Sequence, residues 1–345
     1  MTRRSILFLI GALAALAASP GPAHAVDASG TAASRKETFP LGGYFLLEHS
    51  LGAGTFIDHP YERKPSYSMT FVAMPWYYFT DLFSLRARID ISKEFVSNAD
   101  STTTINREVT LSDFILTAAY GSFYRVPKDV PVVGGLNLAG NLDVLFPTSK
   151  QSQFRTMITA VRPSLVVVWP FGTCSFNYWL RVQKNFNRYT SPVVSTSDGT
   201  PVAVARLRGA EELAADLIAV GGNNVEWAVT NRAYFTWNIS NTFSFGHDLT
   251  LWIEYSLTNS WTYRSYPDDE LKAASAKAGR GRRDVETGIV ELFWQVAGPF
   301  YMNFGISSYQ PPKTADNGGF RVPFLNFWDL ANNYTSLFLD LVVMF

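Results

Sequence analysis

The sequence contains little from which cross-links, metal sites or a basic binding surface could be built. Cys174 is the only cysteine in 345 residues, so no intramolecular disulfide can form. Lys and Arg number 29 and Asp and Glu also number 29, which gives a formal net charge of zero. This balance argues against a nucleic-acid partner, which would require a basic surface. The sequence has no Cys/His cluster with metal-ligand spacing and no phosphate-binding glycine loop, and we expect no cofactor.

Long apolar segments are also missing after the N-terminus. Residues 1–25 have the pattern of a secretory signal peptide, in which Arg3 and Arg4 precede an apolar run and Ala23-His24-Ala25 forms a cleavage pattern. After Val26 no apolar stretch approaches the roughly 20 residues of a membrane-spanning helix. Charged residues nevertheless make up only 17% of the sequence, and aromatic residues 15%. A secreted chain of this kind is either a large soluble β protein or a barrel whose membrane signal is divided among short strands.

Alternation of apolar and polar residues favours the barrel. Successive side chains of a strand point to opposite faces, so a strand between lipid and a lumen alternates with a period of two. The alternation is strongest in the segments 82–94, 136–146, 175–183, 226–237, 248–257 and 334–345. Weaker strands are predicted at about 43–51, 66–77, 108–120, 158–169, 286–296 and 300–309. We expect Pro75 and Pro163 at a strand end or a bulge, because proline has no backbone N–H to donate.

The lengths of the connections give independent support for twelve strands. Tight turns at 79–81, 170–173 and 297–299 alternate with long connections, at 52–65, 95–107, 147–157, 186–224, 259–284 and 310–333. Bacterial barrels have short periplasmic turns and long outer loops, so the alternation predicts both termini on the periplasmic side. Residues 26–40 are predicted to form a periplasmic tail, and 41–345 the barrel. Helices are predicted at 209–220 and after Pro267 within two of the long loops.

The last predicted strand gives the most specific pattern. Leu337, Leu339, Leu341, Val343 and Phe345 share one face, with Asp340 on the other. This pattern resembles the final strand of bacterial outer-membrane β-barrel proteins of the porin and channel class. The resemblance implies an antiparallel up-and-down transmembrane barrel in the outer membrane, in contact with membrane lipid and lipopolysaccharide. It also implies that the barrel-assembly machinery recognises Phe345.

The inward face of such a barrel would carry charges of both signs. The alternation places on it Glu48, Arg86, Arg88, Asp90, Asp143, Arg162, Arg181, Glu226, Arg232, Glu254, Glu291 and Asp340. The candidate selectivity residues are Arg86, Arg88, Asp90, Asp143, Arg181, Glu226, Arg232, Glu254 and Asp340. In one interpretation Arg86, Arg88, Arg181 and Arg232 face Asp143, Glu226 and Glu254 across a water-filled pore, so that small hydrophilic solutes pass through a transverse field. In the other, salt bridges plug a barrel of intermediate size.

Three other functions are alternatives to the passive passage of small hydrophilic solutes. An enzyme like the barrel phospholipases would need a histidine two positions from a serine on one strand, and His49, His59 and His247 lack that spacing. We therefore predict no enzymatic activity. A structural or adhesive barrel would bind partners through the loops 186–224 and 259–284. A transporter of hydrophobic compounds is suggested by the apolar inward residues Trp179, Trp252 and Phe338.

Overall fold

A computed structural model describes most of the predicted barrel. It describes residues 40–56, 65–96, 109–190, 193–195, 202–203, 217–219, 223–243, 248–264, 280–314, 318–326 and 334–345. The predicted signal peptide and residues 26–39 of the predicted tail lie outside this part of the chain. In the described residues, no helix combines the length and the apolar composition needed to cross a membrane.

Nearly all regular structure in the described residues is strand. The strands are β1 Leu41–Gly52, β2 Tyr67–Tyr78, β3 Phe83–Val96, β4 Val109–Leu111, β5 Phe114–Arg125, β6 Asn137–Phe146, β7 Met157–Phe171, β8 Cys174–Asn187, β9 Val193–Ser195, β10 Val202–Ala203, β11 Leu217–Ala219, β12 Val225–Asn238, β13 Leu249–Thr262, β14 Arg282–Ala297, β15 Phe300–Gln310 and β16 Thr335–Met344. Two short helices, α1 Lys150–Phe154 and α2 Ile239–Phe243, and a 3-10 turn at Ala53–Phe56 lie in connections.

The long strands close into one antiparallel barrel. Each pairs with its neighbours in sequence, and β16 pairs with β1 from Tyr44↔Met344 to Gly52↔Ser336. The short strand β4 continues the ladder of β5 along β3 after a one-residue shift at Ser112 and Asp113. Counted among the described residues, twelve strands form the wall: β1–β3, β5–β8 and β12–β16. The predicted twelve-stranded up-and-down barrel is confirmed.

The two ends of the barrel differ as the connection lengths predicted. Tight turns follow β2, β7 and β14, and the glycines of two of them have positive φ, Gly172 at 60° and Gly298 at 51°. Both described termini lie at this end, since the N–H of Tyr78 donates to Pro40 and that of Met344 to Pro299. We call it the turn end, and the opposite one, which carries the long connections, the loop end.

Pro75 and Pro163 both lie within strands and not at a strand end or a bulge, so the position predicted for them was wrong. Pro75 pairs with Gly43 of β1, while the ladder to β3 has a gap between Ala73↔Ile89 and Trp76↔Arg86. Pro163 likewise pairs with β6, and the ladder to β8 is interrupted beside it without a change of register. Each proline therefore interrupts the hydrogen bonds to one of its two neighbouring strands only, because it has no N–H to donate.

The helix prediction for 209–220 was wrong at the C-terminal end of that range. Leu217–Ala219 is strand β11, which pairs with β9, and β9 also pairs with β10 in a small separate sheet. Residues 209–216, and the helix predicted after Pro267, lie outside the described residues.

The outer surface of the wall is apolar and the inner surface polar. On β16, the outward Leu341 is 45% exposed, whereas its inward neighbour Asp340 is fully buried at 0%. Aromatic rings cluster toward both ends of the outer surface, for example Tyr77 against Phe79 at the turn end and Tyr67 against Phe95 at the loop end. A soluble protein has the reverse polarity, so this surface is that of a barrel spanning a membrane.

The C-terminal residue completes the seam between β1 and β16. Gly43 and Phe345 exchange two backbone hydrogen bonds, each 3.0 Å long. The Phe345 ring stacks on Phe45 with a centroid distance of 5.1 Å and lies over Gly43, where a Cβ would come within 2.5 Å of the ring. A residue without a side chain is therefore required at position 43.

A segment near the loop end lies on the outer surface of β14–β16. This strap, residues 318–326, covers outward positions that are polar instead of apolar. The Ser308 hydroxyl donates to the carbonyl oxygen of Pro323, which also lies against Gly288. Gln310 donates to the Val322 carbonyl at 2.7 Å and to Glu286 at 2.9 Å. The strap thus satisfies polar groups that would otherwise face the membrane.

Replacing Gly288 by valine should displace the strap, because a Cβ there would overlap the Pro323 carbonyl. We expect faster proteolysis of residues 318–326 in a barrel that still forms, measured by limited proteolysis of the folded protein. Gly121→Val is the matched control, since the nearest atom to a Cβ at that position is 3.6 Å away. Equal cleavage rates in both variants would contradict this account of the strap.

Replacing Phe345 by alanine should reduce the fraction of folded barrel, because the ring packs across the closing seam and is also the predicted assembly signal. Gly43→Val should act similarly by displacing the ring. Folded and unfolded barrel are separated by the heat-dependent shift in electrophoretic mobility. Phe304→Ala, which removes an outward ring 59% exposed and away from the seam, should assemble normally. Normal assembly of the Phe345→Ala variant would refute the prediction.

Candidate functional site

The strand register defines which residues line the lumen. Asp340 of β16 pairs with Glu48 of β1 on one side and with Asn303 of β15 on the other, so all three point inward. The same register carried around the wall leaves eight of the nine candidate selectivity residues on the inward face, Glu226 being the exception. Because the strand order is fixed, each charge also has a definite place around the circumference.

Arginines are concentrated on one side of the lumen. We call the inward residues Arg86 and Arg88 of β3, Arg162 of β7 and Arg181 of β8 the basic arc. Arg88 donates to Asp90 at 2.8 and 3.0 Å, and the Arg86 Nε donates to the Ser84 hydroxyl at 3.4 Å. Arg162 interacts electrostatically with Arg181 and Arg88, and also with Asp143 and Asp113.

Acids also lie within the basic arc, namely Asp90 beside Arg88 and Asp143 of β6. Asp143 of β6 is 3.5 Å from Arg181 and accepts a hydrogen bond of 2.8 Å from Thr117. Asp143 was predicted to lie opposite the arginines, but the structure places it beside Arg181, which is two strands away on the same side of the lumen. The error has a simple cause, since alternation assigns a residue to a face and not to a position around the barrel.

Carboxylates are concentrated on the other side. We call Glu254 of β13, Glu291 of β14, Asp340 of β16 and Glu48 of β1 the acidic arc. Glu291 interacts electrostatically with the other three. Asp340 accepts a long hydrogen bond of 3.4 Å from Asn303. Within the described part of the chain, neither carboxylate oxygen of Glu291 has a hydrogen-bond partner, although the residue is only 2% exposed.

A buried ion pair joins the two arcs on one side. Arg232 of β12 donates to Glu254 at 2.5 Å, and both residues are less than a tenth exposed. The Trp252 indole N–H donates to the same Glu254 oxygen at 3.2 Å, and the Trp252 ring stacks on Tyr234 with centroids 4.2 Å apart. The Arg232 guanidinium also lies 5.2 Å from the Trp179 ring. Arg232 was predicted to face Glu254 across the pore, whereas it bonds to it directly from the neighbouring strand.

Apolar side chains fill part of the lumen at the turn end. Tyr44, Leu46, Val72, Met74 and Val342 are all nearly inaccessible and pack together, with Trp76, Tyr301 and Met344 against them. These residues occupy inward positions of β1, β2, β15 and β16. The apolar cluster therefore lies on the inward face between the acidic arc and the turn end. The inward positions predicted for Trp179, Trp252 and Phe338 agree with their burial in the structure.

Glu226 was predicted to face the lumen and does not. It lies in a bulge of β12 between Val225 and Trp227 near the loop end. Its carboxylate is 2.5 Å from the Lys184 amine and 2.6 Å from the Arg280 guanidinium, and the Lys184 amine also lies 4.4 Å from the exposed Trp227 ring. The bulge adds one residue, so the alternation that places Thr230 and Arg232 inward cannot be extended to Glu226.

Sequence reasoning missed Arg155, in the connection between β6 and β7. Asp113 anchors this connection, because its carboxylate accepts hydrogen bonds from Ser149 N at 3.0 Å and from the Ser152 hydroxyl at 2.5 Å. Arg155 interacts electrostatically with Asp113 and with Tyr309 of β15, far around the barrel. Burial, together with nearby Arg283, lowers the pKa of the Arg155 guanidinium below its ordinary value. A loop residue shows no periodicity, so no sequence signal assigned it to the lumen.

Several solved structures of other proteins resemble this chain in shape. No family model matches the chain, and no curated protein matches its sequence. An outer-membrane channel from Pseudomonas putida F1 has a TM-score of 0.49 at 10% identity, covering 89% of this chain and 96% of that one. The NanC porin has a TM-score of 0.42 at 8% identity, covering 88% of this chain and 98% of that one. OprD of Pseudomonas aeruginosa has a TM-score of 0.30 at 9% identity, covering 88% of this chain and 94% of that one. At these scores the barrel is established by the strand register of this chain alone.

Metal-binding groups are missing from the part of the chain that the structure describes. No group of three or more His, Cys, Asp or Glu side chains there is arranged to hold a metal ion. What the lumen offers chemically is therefore charge, hydrogen bonding and aromatic surface.

The ion pair between Arg232 and Glu254 can be tested by a double-mutant cycle. Arg232→Met or Glu254→Leu alone leaves one buried charge unpaired, which typically costs about 3–5 kcal/mol. The double variant removes both charges and should recover much of that loss. The free energy of unfolding in urea, measured on barrels in lipid vesicles, provides the comparison. Strictly additive single effects would show that the pair does not act as a unit.

Proposed function

We propose that this chain is an outer-membrane channel through which small hydrophilic solutes pass passively. The observation that carries the proposal is the separation of charge in the lumen, with the basic arc on one side and the acidic arc on the other. Charged side chains at membrane depth are expensive unless they are paired or meet water. Four carboxylates lie close together on β13, β14, β16 and β1, and of these Glu254 is bonded to Arg232, so this side of the lumen would be negative.

A lumen of this kind would sort solutes by charge and size. The field between the two arcs runs across the direction of passage, so a polar or charged solute would be oriented as it moves between them. Arg86, Arg88 and Arg181 would supply the positive side, and Glu254 and Asp340 the negative side. Asp90, Asp143 and Arg232 would hold neighbouring charges in place through the ion pairs described above. No chemical step is required of any residue.

The proposed location also supplies partners. The apolar outer surface would contact membrane lipid, and the loop end would contact lipopolysaccharide. The barrel-assembly machinery would recognise the last strand through Phe345. A non-conducting structural or adhesive barrel would share all of these features, so conductance is the property that separates the two functions.

Transport of hydrophobic compounds is a second candidate, favoured by the apolar cluster at the turn end. The cluster lines inward positions of β1, β2 and β16, where a purely hydrophilic channel would carry polar side chains. Uptake of an apolar fluorescent tracer into vesicles containing the barrel would test this function. Leu46→Asn with Val72→Thr should reduce such uptake, and an unchanged rate would rule out a path along the cluster.

Single-channel recording in planar bilayers tests the proposed channel. The purified barrel should conduct, and Arg86→Glu combined with Arg181→Glu should shift the reversal potential in a salt gradient toward cation selectivity, since both changes make the lumen more negative. Arg282→Glu combined with Lys313→Glu is the matched control, because it makes the same change of charge on exposed residues of the loop end. No conductance, either by the full chain or after deletion of 206–222, would refute the channel function.

A further inference from the structure

Glu291 occupies an unusual position within the acidic arc. Its side chain points inward from β14, between Trp252 of β13 and Gly305 of β15 in the register. It is almost completely buried, yet neither oxygen has a hydrogen-bond partner among the described residues. The buried Asp340 likewise has one oxygen without a partner there. Arg232 interacts electrostatically with Glu291, but its guanidinium is already bonded to Glu254.

Leaving both oxygens of a buried carboxylate unbonded is costly. An ionised carboxylate can accept several hydrogen bonds, and each buried polar atom without a partner carries a desolvation penalty. The three other carboxylates of the arc add electrostatic repulsion. A cation placed against Glu291 would offset both effects, and a guanidinium group matches the two oxygens of one carboxylate with two parallel hydrogen bonds.

The surroundings of Glu291 suit an organic cation. A Cβ at Gly305 would lie 2.8 Å from the Glu291 Cβ and 2.8 Å from the Phe338 ring, so the glycine allows the Phe338 ring to approach Glu291 across β15. Trp252 pairs with Glu291 from the neighbouring strand β13, and Phe338 approaches it from β16 across β15. The faces of aromatic rings attract cations. Both rings are themselves buried, so the carboxylate lies in the wall of the lumen away from bulk solvent.

We infer that Glu291, with Asp340 and the rings of Trp252 and Phe338, forms a binding subsite for a small organic cation in the lumen wall. The inference rests on the proposed channel function, for which it names a class of solute, namely compounds bearing a guanidinium or ammonium group. In the subsite the two Glu291 oxygens accept hydrogen bonds from the cation, and Asp340 contributes charge from across β15. The aromatic rings contact the apolar part of the solute.

Isothermal titration of the folded barrel in detergent tests the subsite directly. Methylguanidinium should bind saturably, whereas N-methylurea, which has nearly the same shape without the charge, should not. Glu291→Gln should weaken binding of methylguanidinium about tenfold or more, because a charge-assisted pair of hydrogen bonds is lost. Asp284→Asn is the matched control, since it removes the same charge from an outward position at the loop end and should leave binding unchanged.

The same probe separates this inference from the channel function. In bilayers, methylguanidinium should reduce the current through the wild-type barrel and not through the Glu291→Gln variant. Conductance without binding of methylguanidinium would overturn the subsite and leave the channel standing. Binding that depends on Glu291 in a barrel that does not conduct would support the subsite and refute the channel. If Glu291→Gln fails to fold, Glu291→Asp serves instead, and binding as tight as in the wild type would overturn the assignment.

Discussion

Closure of the ladder between β1 and β16 is the constraint on which the rest of the structure depends. Inside a membrane no water is available to the backbone, so every peptide group of the wall must bond to a neighbouring strand. The backbone ladder from Tyr44↔Met344 to Gly52↔Ser336 holds the first and last strands together. The residues of the seam follow from it, with Gly43 free of a side chain where the Phe345 ring crosses. Pro75 and Pro163 are tolerated because each breaks the ladder on one side only.

Closure also explains why the charges become two arcs. The inward charges lie on strands separated in sequence, and they have no fixed relation until the order of strands around the barrel is set. That order brings β13, β14, β16 and β1 together at the seam and places β3, β7 and β8 elsewhere. Acids far apart in sequence, such as Glu48 and Glu291, thereby interact electrostatically. The proposed selection of solutes and the proposed cation subsite both arise from this arrangement.

The outer surface shows where alternation alone is insufficient. Glu286, Ser308, Gln310 and Thr335 occupy outward positions at the loop end, where a lipid-facing strand would be apolar. The strap bonds to Ser308, Gln310 and Thr335 through its own backbone and through Asn326, which donates to Gln310 at 2.7 Å. Gln310 in turn donates to Glu286. A polar residue on an outward position is therefore stable when another part of the same chain covers it. In the sequence these residues weaken the pattern without revealing what lies over them.

The sequence by itself determined the strand number, the alternation of short and long connections and the face on which most charges lie. These features are local, because side-chain direction alternates along a strand and turn length depends on a few adjacent residues. Only the tertiary structure decided which charges are neighbours, as with Arg181 beside Asp143 and Arg232 bonded to Glu254. It also decided that Glu226 leaves the lumen at a bulge and that Glu291 lies among acids without a hydrogen-bond partner in the described residues. Such relations depend on register between strands distant in sequence, and no local period encodes it.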